Sequence, residues 1–137
     1  MIYSVDIRIT APVHDTEIGA RIEDAIENVF PGAEVTSDEG ELVAEAHSVE
    51  HFSELLHRQE ILDTARGEFF SGQDGDTLSF DLKKQAAFQG VVNFAVGNPD
   101  ELGEIHVRMD VHDPDVESFV DYIAPPTKDG KPIDSDE

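Results

Sequence analysis

The residues nearest the start of the chain alternate so strictly that they leave little choice of local structure. Tyr3, Val5, Ile7, Ile9 and Ala11 are apolar, and Ser4, Asp6, Arg8 and Thr10 between them are polar. Successive side chains of a β-strand point to opposite faces, so this stretch predicts a strand with one buried and one wet face. A strand of this kind must belong to a sheet covered on one side only. Pro12 ends it. With Asp15 as the expected N-cap, Ile18, Ile22, Ala25, Ile26, Val29 and Phe30 then fall on one helical stripe that stops at Pro31-Gly32.

The same reading continues along the chain. Glu34 to Thr36, an acidic turn at Ser37 to Gly40 and Glu41 to His47 predict a hairpin. Ser48 is the expected cap of a helix that points Val49, Phe52, Leu55 and Leu56 inward, and Ile61, Leu62, Ala65 and Phe69 form a second helical set almost without a break. Two short helices or one bent helix satisfy this pattern. After the Gly/Asp loop Ser71 to Asp76, Leu78, Phe80 and Leu82 alternate as a strand, and Lys83 to Gln89 is too short for a full helix. Val91 to Val96 and Glu104 to Asp110 are read as two more strands, separated by a turn at Gly97-Asn98-Pro99-Asp100. Val116, Phe119, Val120 and Ile123 mark a last helix, closed by Pro125-Pro126.

Strands joined by short turns and interrupted by helices predict an α+β fold. The expected form is an antiparallel, or mixed, sheet of about five to six strands with three to four helices on one face. With 137 residues, one domain over residues 1–126 is expected, followed by an acidic and mobile tail over 127–137.

Charge enters as a constraint on the surface. The chain holds 31 Asp and Glu against 9 Lys and Arg, a net charge of -22. Self-repulsion on this scale opposes compaction in dilute buffer, but at about 1 M salt the Debye length falls to about 3 Å. A carboxylate-rich, lysine-poor surface spread over both ends of the chain therefore reads as adaptation to high salt. There is no cysteine, which excludes disulfides and thiolate metal sites. No window approaches 18 apolar residues and the start has no basic-then-apolar leader, so a cytoplasmic protein without a membrane span is expected.

Catalytic and metal motifs are missing. The six histidines, at positions 14, 47, 51, 57, 106 and 112, do not share one helical face as H-E-x-x-H ligands must. No G-x-S-x-G string occurs, and Gly72-Gln73-Asp74-Gly75 has neither the spacing nor the lysine of a phosphate loop. Neither Gln73-Asp74-Gly75-Asp76 nor Asp113-Pro114-Asp115 completes a twelve-residue calcium loop. The expectation is a protein without catalytic residues, metal or cofactor.

The cations are unevenly placed. Residues 1–57 carry 2 cations against 13 acids, residues 58–90 carry 4 against 6, and residues 91–137 carry 3 against 12. The middle third holds Arg58, Gln59, Arg66, Lys83, Lys84 and Gln85, residue types that contact phosphate, sugar and base edges. On one continuous helix, Arg58 and Arg66 would lie roughly 12 Å apart on nearly the same face. The rival reading is that these cations only pair with acids such as Asp63 and Glu68 within the fold.

Three stretches resemble a small archaeal family of uncharacterised proteins described as RNA-binding: Leu56 to Arg66, Leu82 to Phe88, and Ile123 to Ile133. The resemblance spans nearly the whole chain. It implies the fold of the large-subunit ribosomal protein that binds 5S RNA, with RNA as partner and no catalytic residue. Val91 stands where that resemblance leads one to expect a lysine. The alternative to RNA binding is a protein-interaction module or homodimer that pairs through an exposed sheet face or edge.

Overall fold

In the computed structural model, which describes residues 1–97, 102–128 and 131–132, the opening alternation forms strand β1 (Ser4–Pro12). Val5, Ile7, Ile9 and Ala11 are buried, while Asp6 and Arg8 are exposed. The chain then runs through α1 (Gly19–Val29), β2 (Glu34–Asp38), β3 (Glu41–Ala46), α2 (Glu50–Arg58), α3 (Leu62–Ser71), β4 (Gln73–Asp74) and β5 (Thr77–Leu82). It continues with α4 (Lys84–Ala87), β6 (Ile105–Asp113), α5 (Val116–Ile123) and a small ribbon of β7 (Thr127–Lys128) and β8 (Lys131–Pro132). The main sheet has six antiparallel strands in the order β2-β3-β1-β6-β5-β4, the α+β architecture that the periodicity implies.

The centre of the sheet is made by strands from opposite ends of the chain. β1 pairs β6 from Ser4 opposite Asp113 to Thr10 opposite His106. Because each strand shows one face to the core, the pairing sums the apolar rows: Ile7, Ile9, Val107, Met109, Leu78 and Ala44 lie almost wholly out of water. The helices cover this face. Phe30, Phe52, Phe69, Phe80 and Phe94 form a run of ring contacts with centroids 5.1–6.1 Å apart, which joins α1, α2 and α3 to β5.

Several local expectations change. Neither Asp15 nor Ser48 caps a helix: α1 follows Ile18 and α2 follows Val49, and the Ser48 hydroxyl is spent on Glu50. Asp115 does cap α5, accepting from the Ser118 N–H. α2 and α3 are separate helices, broken where Glu60 adopts a left-handed φ of 57°. Lys83 to Gln89 holds a helix of four residues.

Val91 to Val96 is not a strand. Only Phe94 bridges to Leu82, flanked by bonds from the Lys83 N–H to the Asn93 carbonyl at 2.8 Å and from the Ala95 N–H to the Asp81 carbonyl at 2.9 Å, while the side-chain amide of Gln59 takes both the N–H and the C=O of Val92 at 2.8 Å. β6 runs further than expected, to Asp113. Of the turn at Gly97 to Asp100, residues 98–100 lie outside the described residues, as do 129, 130 and 133–137 of the tail.

Candidate nucleic-acid interface

The cations of residues 58–85 do not meet on one surface. Arg58 ends α2 and is paired along its own helix with Glu54 at 2.6 Å. Arg66 lies on α3 beyond the break, bonded to Asp121 at 2.7 Å and to the Ala124 carbonyl at 2.8 Å. The left-handed turn at Glu60 is the physical reason that the continuous-helix spacing does not apply. Gln59 is committed to Val92, whereas Lys83 is half-buried and Gln85 is exposed.

Lys84 is the clearest correction, because it is not on the surface at all. Its side chain is 4% exposed and that of its partner Glu17 is 8%. The ammonium donates to the Pro12 carbonyl at 2.6 Å, the Leu102 carbonyl at 2.7 Å and the Glu17 carboxylate at 3.0 and 3.2 Å. One buried charge thus ties together the end of β1, the loop before α1, α4 and the segment before β6. Burial alone would raise the Glu17 carboxyl, but the His14 backbone N–H and the Lys84 ammonium overcome this and hold it below its ordinary value.

Removing one partner of a buried pair leaves an uncompensated charge, so Lys84→Met is expected to destabilise the fold by about 3–5 kcal/mol in thermal unfolding. Adding Glu17→Leu should return much of that loss. A carboxyl with a lowered folded-state pKa contributes stability above its unfolded pKa and loses it as pH falls through the folded value. The gap between the native chain and Lys84→Met should therefore narrow in acid. A Lys84→Met chain as stable as the native one would show that the pair only fills space.

The face of the sheet away from the helices is open, and there the register places charges that the linear sequence keeps apart. Arg8 lies directly opposite Arg108 on β6 and opposite Glu45 on β3, and Ser79 on β5 lies opposite Arg108. One step along, Asp6 faces Asp110 and Thr77 also faces Asp110; one step the other way, Thr10 faces His106 and Asp81 faces His106. Both arginines are exposed. Like charges directly opposite on one sheet face repel. Arg108 is partly relieved by Asp110, whose Oδ1 accepts from Nε at 3.3 Å. The Arg8 side chain makes no hydrogen bond or ion pair with any described residue.

Carboxylates and imidazoles frame the pair. Asp6 bridges two histidines, with Oδ1 3.1 Å from His47 Nδ1 and Oδ2 2.7 Å from His112 Nε2, and Asp81 holds His106 Nδ1 at 2.7 Å. The Thr77 hydroxyl at 2.7 Å, with the Arg108 guanidinium, holds the Asp110 carboxyl below its ordinary value against the opposing effect of burial. Asp6, Ile7, Arg8, Glu45, His47 and Asp110 line a shallow cavity of about 330 Å³. No group of three His, Asp or Glu among the described residues could hold a metal ion, and no described helix is long and apolar enough to cross a membrane. Arg8 and Arg108 escape a count of cations along the chain because 100 positions separate them; their signal is that each sits on the polar phase of a period-2 segment.

A family model described as RNA binding matches residues 6–111, from the β1 residue Asp6 to the β6 residue Val111. A UPF0200/UPF0201 protein of Archaeoglobus fulgidus is 41% identical over 131 residues, which make up 95% of this chain and 40% of that longer protein. The chain thus spans two fifths of that relative. A UPF0201 protein of Methanocaldococcus jannaschii is 37% identical over 139 residues, covering 97% of this chain and 80% of the relative. The crystal structure of a UPF0201 protein from Methanococcus jannaschii superposes with a TM-score of 0.87 at 37% identity, over 94% of this chain and 99% of that one. The match takes in most of both central strands and all that lies between them, and the chain belongs to this archaeal family, the UPF0201 proteins, whose family model is described as RNA binding.

Proposed function

We propose that the chain is a non-enzymatic RNA-binding protein of a salt-loving archaeon, and that it holds RNA on the open face of its six-stranded sheet. The observation that carries this reading is the Arg8–Arg108 pair. Two guanidiniums set against each other, one without a partner among the described residues, form a fork for an anion, and a phosphodiester is the anion that RNA offers repeatedly. At the salt this surface suits, counterion release contributes little, so binding rests on short hydrogen bonds from fixed groups. The ribosomal-protein resemblance makes ribosomal and RNA-processing assemblies the setting for this activity. Arg58, Lys83 and Gln85 lie outside the sheet face and contribute secondary contacts at most. Arg66, Gln59 and Lys84 serve the fold.

The test is backbone and side-chain chemical-shift mapping of the full chain with its cellular RNA fraction in about 2 M KCl. Saturable perturbation of Arg8, Arg108, Ser79 and Glu45 is expected. Absence of saturable binding, or perturbation confined to α2 and α4, would overturn the proposal, and perturbation of the β2 edge without added RNA would point instead to self-association.

A further inference from the structure

Granting that this face binds RNA, its side chains specify which form of RNA it takes. Sheets that bind unpaired RNA stack bases on exposed aromatic rings. Among the described residues, the open face has no Phe or Tyr. Phe80 and Phe94 belong to the covered side, and Tyr3 is turned towards Phe119 and Tyr122 by α5, its hydroxyl bonded to Glu50. The three imidazoles on the face are each tethered to a carboxylate through a ring nitrogen, which fixes them and leaves them poorly suited to slide between bases.

What the face does offer is a grid of forks, hydroxyls and carboxylates. The Arg8–Arg108 row lies between a row containing Asp6, Asp110 and Thr77 and a row containing Thr10, His106 and Asp81. Along β1 these rows run from Asp6 to Thr10, which at about 3.3 Å per residue makes the grid roughly 13 Å long. The carboxylates are a difficulty for any anion taken alone, since they repel phosphate. They fit a ligand that presents hydrogen-bond donors beside its phosphates. A-form RNA does so along its wide, shallow minor groove, where each ribose 2′-hydroxyl can donate to a carboxylate while neighbouring phosphates meet guanidinium.

We infer that the open sheet face binds double-helical RNA through phosphates and 2′-hydroxyls, with Arg8 and Arg108 on the phosphates and Asp6 and Asp110 accepting from the ribose. This explains acids on an RNA surface, and it predicts selection for duplex over unpaired RNA and for RNA over DNA. It rests on the RNA-binding reading above.

The experiment is fluorescence anisotropy of the full chain in about 2 M KCl with three labelled probes of one sequence: an RNA duplex of about 16 base pairs, its unpaired strand, and the matching DNA duplex. The RNA duplex is expected to bind at least about tenfold more tightly than either of the others. Unpaired RNA binding equally well or better would overturn this inference and leave the RNA-binding reading in place. Equal binding of the DNA duplex would overturn the role given to the 2′-hydroxyls. If none of the three probes saturates while cellular RNA does, the duplex inference alone fails; if cellular RNA also fails, both do.

Discussion

Moved from about 2 M KCl to about 0.01 M, the chain is expected to lose its cooperative thermal transition, because the Debye length grows from below 3 Å to about 30 Å and its acids repel across the whole molecule. The register shows where the strain concentrates. Asp6 faces Asp110 across the central strands, and on the outer pair Glu34 faces Glu45 and Asp38 faces Glu41. Each is a like-charge pair on adjacent strands, a placement that destabilises a sheet unless salt screens it. With a net charge of -22, these local terms add to a general repulsion that is comparable with the 5–15 kcal/mol of a typical fold, as an order-of-magnitude figure. Circular dichroism melts across the salt range decide the matter. A cooperative melt above about 1 M and its loss below a few hundred millimolar are expected. Glu34→Gln with Glu45→Gln should extend the folded range to lower salt, since these two face each other across the outer strand pair and Glu34 lies on the exposed edge strand β2. An unchanged melt at low salt would show that the acidic surface is not a salt adaptation.

The fold was legible from sequence wherever burial has a period. β1, α1, β3, α2, α3, β5 and α5 each carry an apolar repeat that meets the core, and the one-sided sheet follows from them. What misled were places where a side chain stands in for backbone. Val91 to Val96 has the composition of a strand, but Gln59, 33 residues upstream, satisfies Val92 in place of a neighbouring strand. No local pattern announces that substitution. The caps failed for a similar reason: Ser48 prefers the Glu50 carboxylate, and the loop before α1 is organised by Glu17, which binds both the His14 N–H and Lys84.

The candidate site is less legible because the order of charges along the chain does not show which of them the sheet brings together. Lysines are scarce in this chain, and Lys84 is conspicuous because residues 58–90 carry 4 cations against only 6 acids. Its presence has a different cause here. A buried ammonium with four oxygen contacts is held by the fold, so it persists among acids for structural reasons. Arg8 and Arg108, each alone among acids in its own stretch, become a pair only once the first and sixth strands are known to be neighbours.

Two guanidiniums that each make charge-assisted bonds of about 1.5–3 kcal/mol to phosphate would together account for a factor of about 10² to 10⁴ in affinity. Arg8→Gln with Arg108→Gln keeps the length and polarity of both side chains and removes a repulsive pair, so the fold should be as stable as before or slightly more so. The matched control is Arg58→Gln with Lys83→Gln, which also removes two positive charges and leaves the sheet face untouched. RNA affinity of the two variants, measured side by side in about 2 M KCl on chains shown to melt cooperatively, is the direct comparison. Loss of at least about 100-fold in the Arg8/Arg108 variant with little change in the control is the expected result. Native affinity in the Arg8/Arg108 variant, or loss in the control alone, would place the RNA somewhere other than the open face of the sheet.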